Sequence, residues 1–186
     1  MLAGFKRPKN SAVFISGSGS TLQALLENQH QFPIKIIITN KKNTLGEIKA
    51  KRFGIRSYFF SKNENYHDLN LLLIKEKIDT LFLAGFLKVL PADFVQIWEN
   101  KIYNIHPSLL PEFPGLHSAE KSFQEKKQMG VTIHQVNAEI DRGKIFLQMH
   151  SLLKDVSKNI ELSQAMLFLR RSEQHLLREF STRVCL

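Results

Sequence analysis

The stretch Ser11–Gln29, SAVFISGSGSTLQALLENQ, decides the fold of this chain. Its first six residues, Ser11–Ser16, form a short apolar run of the kind that predicts a strand buried on both faces. A glycine-serine turn follows, and Ser20–Gln29 then places three leucines on one helical face: Leu22, Leu25 and Leu26. A strand that passes through a tight turn into a helix indicates the first half of a β-α-β unit.

The same alternation continues outward from this stretch. Further strands are predicted at Ile34–Thr39, Ile55–Phe60, Asp79–Ala84 and Lys101–Ile105, and the helices between them at Thr44–Phe53, Asn65–Lys77 and Pro91–Trp98. Strands joined by helices favour parallel pairing, so we expect an α/β fold with an open, mostly parallel twisted sheet and helices on both faces. In such sheets, ligands bind at the carboxyl ends of the strands.

The second half of the chain has a different pattern. Three prolines between Pro107 and Pro114 indicate an irregular loop, and a helix is predicted at Ser118–Lys127. Two strand-like runs, Gly130–Val136 and Lys144–Leu152, flank a turn and predict an antiparallel hairpin. A long helix over Ser157–Phe180, with a possible break near Ser172, completes a single domain spanning 1–186. Within it, residues 1–10 are expected to be flexible.

The composition limits the classes of partner. A formal charge of +9 suits an anionic partner, although scattered solvated lysines explain it equally well. The basic residues are not interleaved with aromatic residues, so we expect no nucleic acid partner. No apolar run is long enough for a membrane span, so no membrane association is expected. One cysteine, Cys185, excludes a disulfide framework and favours a cytoplasmic setting, and the histidine spacing predicts no metal site.

The turn after the first predicted strand has the residues of an anion site. Its glycines let a ligand approach the backbone, and the free N–H groups at the start of the next helix favour a negative charge. The third glycine of the dinucleotide fingerprint would fall at Leu22, and the lysine of a Walker loop is absent from the motif. A small phosphate monoester is therefore favoured, with a plain glycine-rich turn as the alternative. The candidate phosphate ligands are Gly17, Ser18, Gly19, Ser20 and Thr21.

Asn104 and His106 lie two residues apart at the end of a predicted strand, so both side chains leave the same face. An amide donor beside an imidazole can stabilise an oxyanion, or the histidine can simply satisfy a loop carbonyl. Asp141 either orients His106 and raises its pKa or caps its own turn. His134, on a strand-like run, is either a buried hydrogen-bonded residue or part of a site.

Several segments together resemble the folate-dependent formyltransferase superfamily. The segment Asn104–Pro111, NIHPSLLP, is similar to its signature, and Glu112–His117, EFPGLH, resembles the continuation found in the phosphoribosylglycinamide formyltransferases. Further similarity lies in Ile15–Ala24, in Leu83–Leu90, and in Gly130–His134 with Ile140-Asp141. The resemblance covers about Ser11 to Gln148 and implies the Rossmann-like formyltransferase fold.

The resemblance also implies roles for individual residues. Asn104, His106 and Asp141 match the catalytic trio, and Gly17–Thr21 match the loop that binds the substrate phosphate. The pterin of 10-formyltetrahydrofolate would be held by two segments: Phe86, Leu87, Lys88, Val89 and Leu90 on one side, and Ala138, Glu139, Ile140 and Asp141 on the other. Either Glu173 or Gln174 would lie near the ribose. Residues 11–100 would then form the phosphate-binding half and residues 101–186 the folate and catalytic half.

The implied reaction transfers the formyl group of 10-formyltetrahydrofolate to the amine of N1-(5-phosphoribosyl)glycinamide, a step of purine biosynthesis. Asn104 and a protonated His106 would stabilise the tetrahedral oxyanion. The folate is a cosubstrate, no metal takes part, and the partners are the two small molecules. The chain would act as a monomer or a homodimer.

One departure from the family pattern concerns the catalytic turn, where Asp-Gly-Gly is usual and Asp141-Arg142-Gly143 stands here. Arg142 either pairs with a folate carboxylate or points into water. Other functions remain open: a formyltetrahydrofolate hydrolase, a methionyl-tRNA formyltransferase, or a non-catalytic binder of folate or phosphosugar. The hydrolase usually carries an N-terminal regulatory domain, for which no room precedes Ser11, and the tRNA enzyme normally adds a C-terminal domain.

Overall fold

A computed structural model describes residues 5–125, 128–151 and 160–184. The strands are β1 (Ser11–Ile15), β2 (Ile34–Thr39), β3 (Arg56–Phe59), β4 (Thr80–Leu83), β5 (Ile102–His106), β6 (Gly130–Gln135) and β7 (Ile145–His150). The helices are α1 (Ser20–Glu27), α2 (Leu45–Arg52), α3 (Tyr66–Lys75), α4 (Ala92–Ile97), α5 (Ser118–Gln124) and α6 (Leu162–Val184). Within these residues the strands form one sheet in the order β3-β2-β1-β4-β5-β6-β7.

Strand β1 lies inside the sheet and is buried along its whole length, as its unbroken apolar run predicts. It pairs in parallel with β2 on one side and with β4 on the other. Its side chains alternate between two cores: Val13 and Ile15 face one, and Ala12 and Phe14 face the other. A strand whose side chains pack in two cores must have a layer of helices on each face.

The two layers are formed by different helices. Leu22, Leu25 and Leu26 of α1 pack in the first core with Leu176 and Phe180 of α6. On the opposite face, the second core contains four buried residues from α3 and α4: Leu69, Leu73, Phe94 and Val95. The prediction of an open sheet with helices on both faces is confirmed.

The sheet changes direction at β5. Strands β1 to β5 are parallel, whereas β6 runs antiparallel to β5 and β7 antiparallel to β6. The predicted antiparallel hairpin is therefore confirmed, and it extends the parallel sheet at β5. The loop after β5 lies at the edge formed by the carboxyl ends of the parallel strands. The turn between β6 and β7 begins beside Ile102, at the other end of β5, and Asp141 of this turn reaches the side chains of Asn104 and His106.

The C-terminal helix and the N-terminal segment differ from the sequence predictions. Helix α6 continues through Ser172, whose hydroxyl donates to the carbonyl of Phe168 at 2.9 Å, so a break there is wrong. Residues 157–159 of the predicted helix and Lys127 of the predicted α5 lie outside the described residues. Although residues 1–10 were expected to be flexible, Phe5 is buried, with its ring centroid 4.7 Å from those of Tyr103 and Phe180. In the described part of the chain, no helix is long and apolar enough to cross a membrane.

Candidate active site

Three polar residues predicted from the sequence converge at the carboxyl end of β5. Nδ2 of Asn104 donates to Oδ1 of Asp141 at 3.3 Å, and Nδ1 of His106 lies 3.5 Å from Oδ2 of the same carboxylate. The side chain of His106 is 5% exposed and that of Asp141 is 11% exposed, so the contacts are sheltered from water. Asn104 and His106 lie two residues apart on β5, so their side chains point toward the same side of the strand. The turn before β7 supplies Asp141.

The loop after β5 is fixed by hydrogen bonds from β6 and β7. The hydroxyl of Thr132 donates to the carbonyl of Ser108 at 2.7 Å and accepts from the N–H of Leu110 at 3.1 Å. Gln148 donates to the carbonyl of Leu110 at 2.7 Å. These bonds let the chain return past Asn104 and His106, so that the carbonyl of Phe113 reaches Nε2 of His106 at 3.0 Å.

The carboxyl group of Asp141 is ionised at any ordinary pH. Burial alone would raise its pKa, but the hydrogen bond with His134 and the nearby His106 ring outweigh that effect. The N–H of Gly115 also donates to Oδ2 at 2.7 Å, and together these contacts lower the pKa of Asp141 to about 2. The site therefore holds a fixed, nearly buried negative charge.

The surroundings of His106 favour the neutral form of its ring in the free protein, whereas the sequence predicted a ring held protonated by Asp141. Burial is the largest influence and lowers the pKa of His106, while the carbonyl of Phe113 and the charge of Asp141 oppose it without reversing it. A carbonyl can only accept, so the ring proton lies on Nε2 and donates to Phe113. Nδ1 then faces Asp141 at 3.5 Å, too far for a strong hydrogen bond.

A fourth residue, His134, belongs to the cluster, although the sequence left its role open. Nε2 of His134 lies 3.3 Å from Oδ1 of Asp141 and 3.1 Å from Nδ2 of Asn104. Its Nδ1 faces the carbonyl of Gln135 at 2.9 Å, and its side chain is 1% exposed. The antiparallel register pairs His134 directly with Asn104, and this pairing was the signal that could have identified it.

The glycine pattern of the Asp141 turn has a steric explanation. A Cβ on Gly143 would lie 1.8 Å from the carbonyl oxygen of Gln135, so this position requires glycine. Arg142 is exposed and its φ lies outside the left-handed region, so a side chain is accommodated there. Asp141 itself has a φ of 53°, a conformation that aspartate adopts more readily than most residues. The departure from Asp-Gly-Gly thus leaves the geometry of the turn intact.

The loop between β1 and α1 has the close packing expected of a ligand loop. Gly19 has a φ of 64°, and a Cβ at this position would lie 2.8 Å from Cα of Gly46, the second residue of α2. The N–H of Gly46 donates to the carbonyl of Gly17 at 3.2 Å, and Nζ of Lys49 donates to the carbonyl of Gly19 at 3.0 Å. Helix α2 therefore holds this loop from one side.

Helix α6 contacts the same loop from the other side through Glu173. The hydroxyl of Thr21 donates to Oε2 of Glu173 at 3.0 Å, and Glu173 is 8% exposed. Burial raises the pKa of Glu173 to about 7, although Thr21 and Arg170 oppose the increase. Of the two candidates for the ribose position, Glu173 is the one bonded to the loop, whereas Gln174 is half-buried one position further along the helix.

The segment after β4 borders both parts of the site. Phe86 packs its ring against Phe14, with centroids 5.3 Å apart, and Leu90 is buried. Between them, Leu87 and Val89 are 58% and 74% exposed, which leaves apolar surface open at this edge. Across the site, Ala138, Glu139 and Ile140 are exposed in the turn that ends at Asp141.

Among the described residues, no group of three or more His, Cys, Asp or Glu could hold a metal ion.

Comparison with known proteins identifies the family. The formyl transferase family model matches residues 9–174. The trifunctional purine biosynthetic protein adenosine-3 of Drosophila melanogaster is 38% identical over 156 residues; the match covers 77% of this chain but only 12% of that protein. The phosphoribosylglycinamide formyltransferase of Haemophilus influenzae is 36% identical over 151 residues, covering 75% of this chain and 71% of that protein.

A solved structure shows the same fold. The phosphoribosylglycinamide formyltransferase of Streptococcus pneumoniae TIGR4 superposes with a TM-score of 0.87 at 30% identity, covering 96% of this chain and 99% of that one. The matched family region contains both the loop that follows β1 and the residues that surround Asp141. The chain therefore belongs to the formyl transferase family.

Proposed function

We propose that this protein transfers the formyl group of 10-formyltetrahydrofolate to the amine of N1-(5-phosphoribosyl)glycinamide. The observation that carries the proposal is the convergence of Asn104, His106 and Asp141 in one sheltered cluster, separated from the Gly17–Thr21 loop by a single strand, β4. A formyl donor and a phosphorylated amine could thus lie side by side along one edge of the sheet. The names of the relatives agree with this pair of substrates.

The loop at the start of α1 would hold the acceptor. Its backbone N–H groups and the helix dipole favour a phosphate, and Ser18 and Ser20 add hydroxyl donors, whereas the hydroxyl of Thr21 donates to Glu173. Glu173, bonded to Thr21, is positioned to receive a ribose hydroxyl next to that phosphate. The acceptor amine would then extend past β4 toward the catalytic cluster.

The exposed apolar residues at the other end of the site would hold the donor. Leu87 and Val89 on one side and Ile140 on the other offer faces against which a flat pterin can pack. The backbone groups of Phe86–Leu90 and Ala138–Asp141 are available for the polar edge of the ring. In this proposal, residues 11–100 bind mainly the phosphorylated acceptor and residues 101–186 supply the catalytic groups and part of the folate site, while the segment after β4 also serves the folate.

The chemistry is a direct acyl transfer. The amine nitrogen attacks the formyl carbon, the carbonyl oxygen takes the negative charge, and the bond from carbon to N10 then breaks. Asn104 offers an amide N–H to the oxyanion, and His106 offers its Nε2–H once it leaves the carbonyl of Phe113. The attacking nitrogen loses one proton and N10 gains one, so no net proton is consumed.

The neutral state of His106 suits the proton transfer. A neutral imidazole can take up a proton at Nδ1, where the carboxylate of Asp141 stabilises the resulting imidazolium. The same ring can then return the proton toward N10 as the donor leaves. Asp141, with its pKa of about 2, stays ionised throughout and acts by orientation and charge.

The test of this function is to incubate the purified protein with both substrates and follow folate deformylation by absorbance. Turnover that requires the ribonucleotide supports the proposal. Turnover with the folate alone would assign the hydrolase reaction instead. Binding without turnover in either case would leave a non-catalytic binder. The predictions of a cytoplasmic monomer or homodimer that binds no nucleic acid belong to the same proposal.

His106→Ala is expected to lower turnover by at least ~100-fold, the scale of one acid–base or oxyanion group. Because His106 is buried, His106→Gln serves as a second variant that retains a donor for the carbonyl of Phe113. Circular dichroism would establish that each variant is folded. Near-normal turnover in both folded variants would contradict the assigned role.

A further inference from the structure

Four exposed cations lie side by side at the amino ends of the parallel strands, the end of the sheet away from His106. The four strands that carry them are neighbours, in the order β3-β2-β1-β4. Each strand has one basic residue within its first two positions or in the segment just before it. In the order of the strands, these residues are Arg56, Lys35, Lys9 and Lys77. Neighbouring strands are about 4.8 Å apart, so this basic row extends over roughly 15 Å.

The backbone beneath the basic row is fixed by hydrogen bonds. Nδ2 of Asn10 donates to the carbonyl of Lys77 at 3.1 Å, which joins the segments that precede β1 and β4. On the other side, Ile36 pairs with Arg56 in the parallel register of β2 and β3, so Lys35 is one position away from the residue that pairs with Arg56. The charges are therefore mounted on rigid elements, and only their side chains have to adapt to a ligand.

The carboxylate nearest one end of the row is shared by several cations. Nη2 of Arg56 forms an ion pair with Oε2 of Glu76. The hydrogen bond from Arg56 lowers the pKa of Glu76, and the charges of Lys35 and Lys75 lower it further. Three cations thus act on one carboxylate, which cannot neutralise them all.

The rest of the row also lacks a carboxylate of its own. Asp79 lies close by, but its oxygens accept from the backbone N–H groups of Lys9 and Asn10 at 2.8 and 3.4 Å. Among the described residues, no carboxylate forms an ion pair with any of the three lysines of the row. Like charges held side by side repel each other, so the row is better satisfied with an anionic partner than without one.

Stabilisation of helix ends explains only part of this positive charge. Cations in the last turn of a helix interact favourably with its dipole, which accounts for Lys51, Arg52 and Lys75 at the ends of α2 and α3. Lys9 and Lys35, in contrast, lie before and within strands. Their position beside other cations therefore calls for a different explanation.

The surface around the row favours a polypeptide as the partner. A groove of about 290 Å³ opens beside Lys35, and the residues that line it are both apolar and polar: Asn10, Gln29, His30, Pro33, Ile34 and Lys35. Ile74, three residues before Lys77, is 57% exposed. Protein interfaces combine such apolar contacts with a charged rim. Single-stranded nucleic acids stack their bases on aromatic rings, and no Phe, Tyr or Trp lines this groove.

We infer that the basic row is a docking surface for an acidic segment of a partner protein. An extended segment advances about 3.3 Å per residue, so roughly five residues would cover the row. Carboxylates at alternate positions of such a segment point toward the same side, where they can meet successive cations. The row lies at the opposite end of the strands from the phosphate loop and His106, so this inference goes beyond the proposed function and does not depend on it.

The first experiment measures binding of a fluorescein-labelled peptide of alternating glutamate and alanine by fluorescence anisotropy. The wild-type protein should bind this peptide, and added salt should weaken the binding. In a Lys9→Gln/Lys35→Gln variant, the Kd should rise roughly tenfold, about threefold for each exposed ion pair that the substitutions remove. Both lysines are exposed and form no ion pair, so the variant should keep the wild-type midpoint in urea unfolding.

A matched control is Lys42→Gln/Lys62→Gln, which removes the same charge from the loops that follow β2 and β3 at the carboxyl edge of the sheet. This control should leave the Kd of the peptide unchanged. An equal increase of Kd in both double variants would show attraction to the net charge alone and would overturn the inference. Absence of peptide binding to the wild type would overturn it as well.

The second experiment locates the peptide on the wild-type protein, so it does not depend on the folding of a variant. A carbodiimide joins peptide carboxylates to lysine amines as amides and takes up the water that is lost. Mass spectrometry should then find the peptide on Lys9, Lys35 and Lys77. Cross-links that fall mainly on Lys42 and Lys62 would contradict the proposed surface.

The same binding assay separates this partner from other polyanions. Single-stranded RNA and vesicles that contain phosphatidylserine serve as the alternative probes. We expect both to bind more weakly than the peptide. Tighter binding of either probe, lost in the Lys9→Gln/Lys35→Gln variant, would assign the row to a nucleic acid or a membrane surface, and the inference of a protein partner would be wrong.

Discussion

Replacing Asp141 with asparagine tests the electrostatic core of the site. The pKa of Asp141 falls from its ordinary 3.8 to about 2. Each factor of ten in an ionisation constant is about 1.4 kcal/mol, so the ionised side chain stabilises the fold by roughly 2–3 kcal/mol. Because the pKa is depressed, this contribution is complete above pH 4 and disappears as the pH falls through 2. An asparagine cannot accept from Gly115, Asn104 and His134 together without placing its own N–H₂ against a donor.

The assay is urea unfolding of the wild type and Asp141→Asn at pH 7, 5, 4 and 3. We expect the variant to be less stable by about 2–3 kcal/mol at pH 7 and 5, with the difference narrowing from pH 4 to pH 3. Asp93→Asn, which replaces an exposed aspartate in the first turn of α4, controls for removal of a surface carboxylate. A difference that stayed constant over the whole range would refute the ionised, hydrogen-bonded state of Asp141.

Three further predictions concern other parts of the site. Gly19→Ala should lower the free energy of unfolding by roughly 1–3 kcal/mol, because Gly19 has a φ of 64° and a Cβ there would lie 2.8 Å from Gly46. Gly17 has open space around it, so Gly17→Ala should leave stability in urea unfolding unchanged and affect only ligand binding. Gly143→Ala should lower both the midpoint of thermal unfolding and kcat, because its Cβ would lie 1.8 Å from a backbone oxygen. Arg142→Gly should alter the midpoint little. Equal changes in the midpoint for the two variants would contradict the steric argument. The pKa of Glu173 is about 7 because burial penalises its charged form, so the wild type should lose stability relative to Glu173→Gln as the pH rises from 5 to 8. The difference in the free energy of unfolding should grow by up to about 3 kcal/mol. A pH-independent difference between the two proteins would disprove this.

The parallel part of the fold was predictable because its signals are local. The unbroken apolar run of β1 and the leucine spacing of α1 require no knowledge of distant residues. Likewise, Thr44 caps α2 through a box with Glu47 three residues later, so the predicted start of this helix differs from the structure by only the cap residue. The possible break at Ser172 was wrong because this serine bonds to the carbonyl four residues earlier and stays within the helix.

The candidate site was predictable only in part. The spacing of Asn104 and His106 indicated a shared face. The contact of Asn104 with Asp141, 37 residues later, depends on the antiparallel pairing of β5 with β6 and on a positive φ at Asp141. His134 enters the cluster only through its register with Asn104. The lowered pKa of His106 follows from burial, a property of the folded surroundings that no single-residue pattern contains.

The two ligand loops are directly tied to each other through Ser16. Its hydroxyl accepts from the N–H of Leu87 at 2.8 Å, and its own N–H donates to the carbonyl of Gly85 at 3.1 Å. If the two loops bind the two substrates as proposed, a ligand that orders one loop would lower the entropic cost of ordering the other, and their binding would be positively cooperative. Thermodynamic linkage would make the effect reciprocal: the factor by which the ribonucleotide tightens folate binding would equal the factor by which folate tightens ribonucleotide binding.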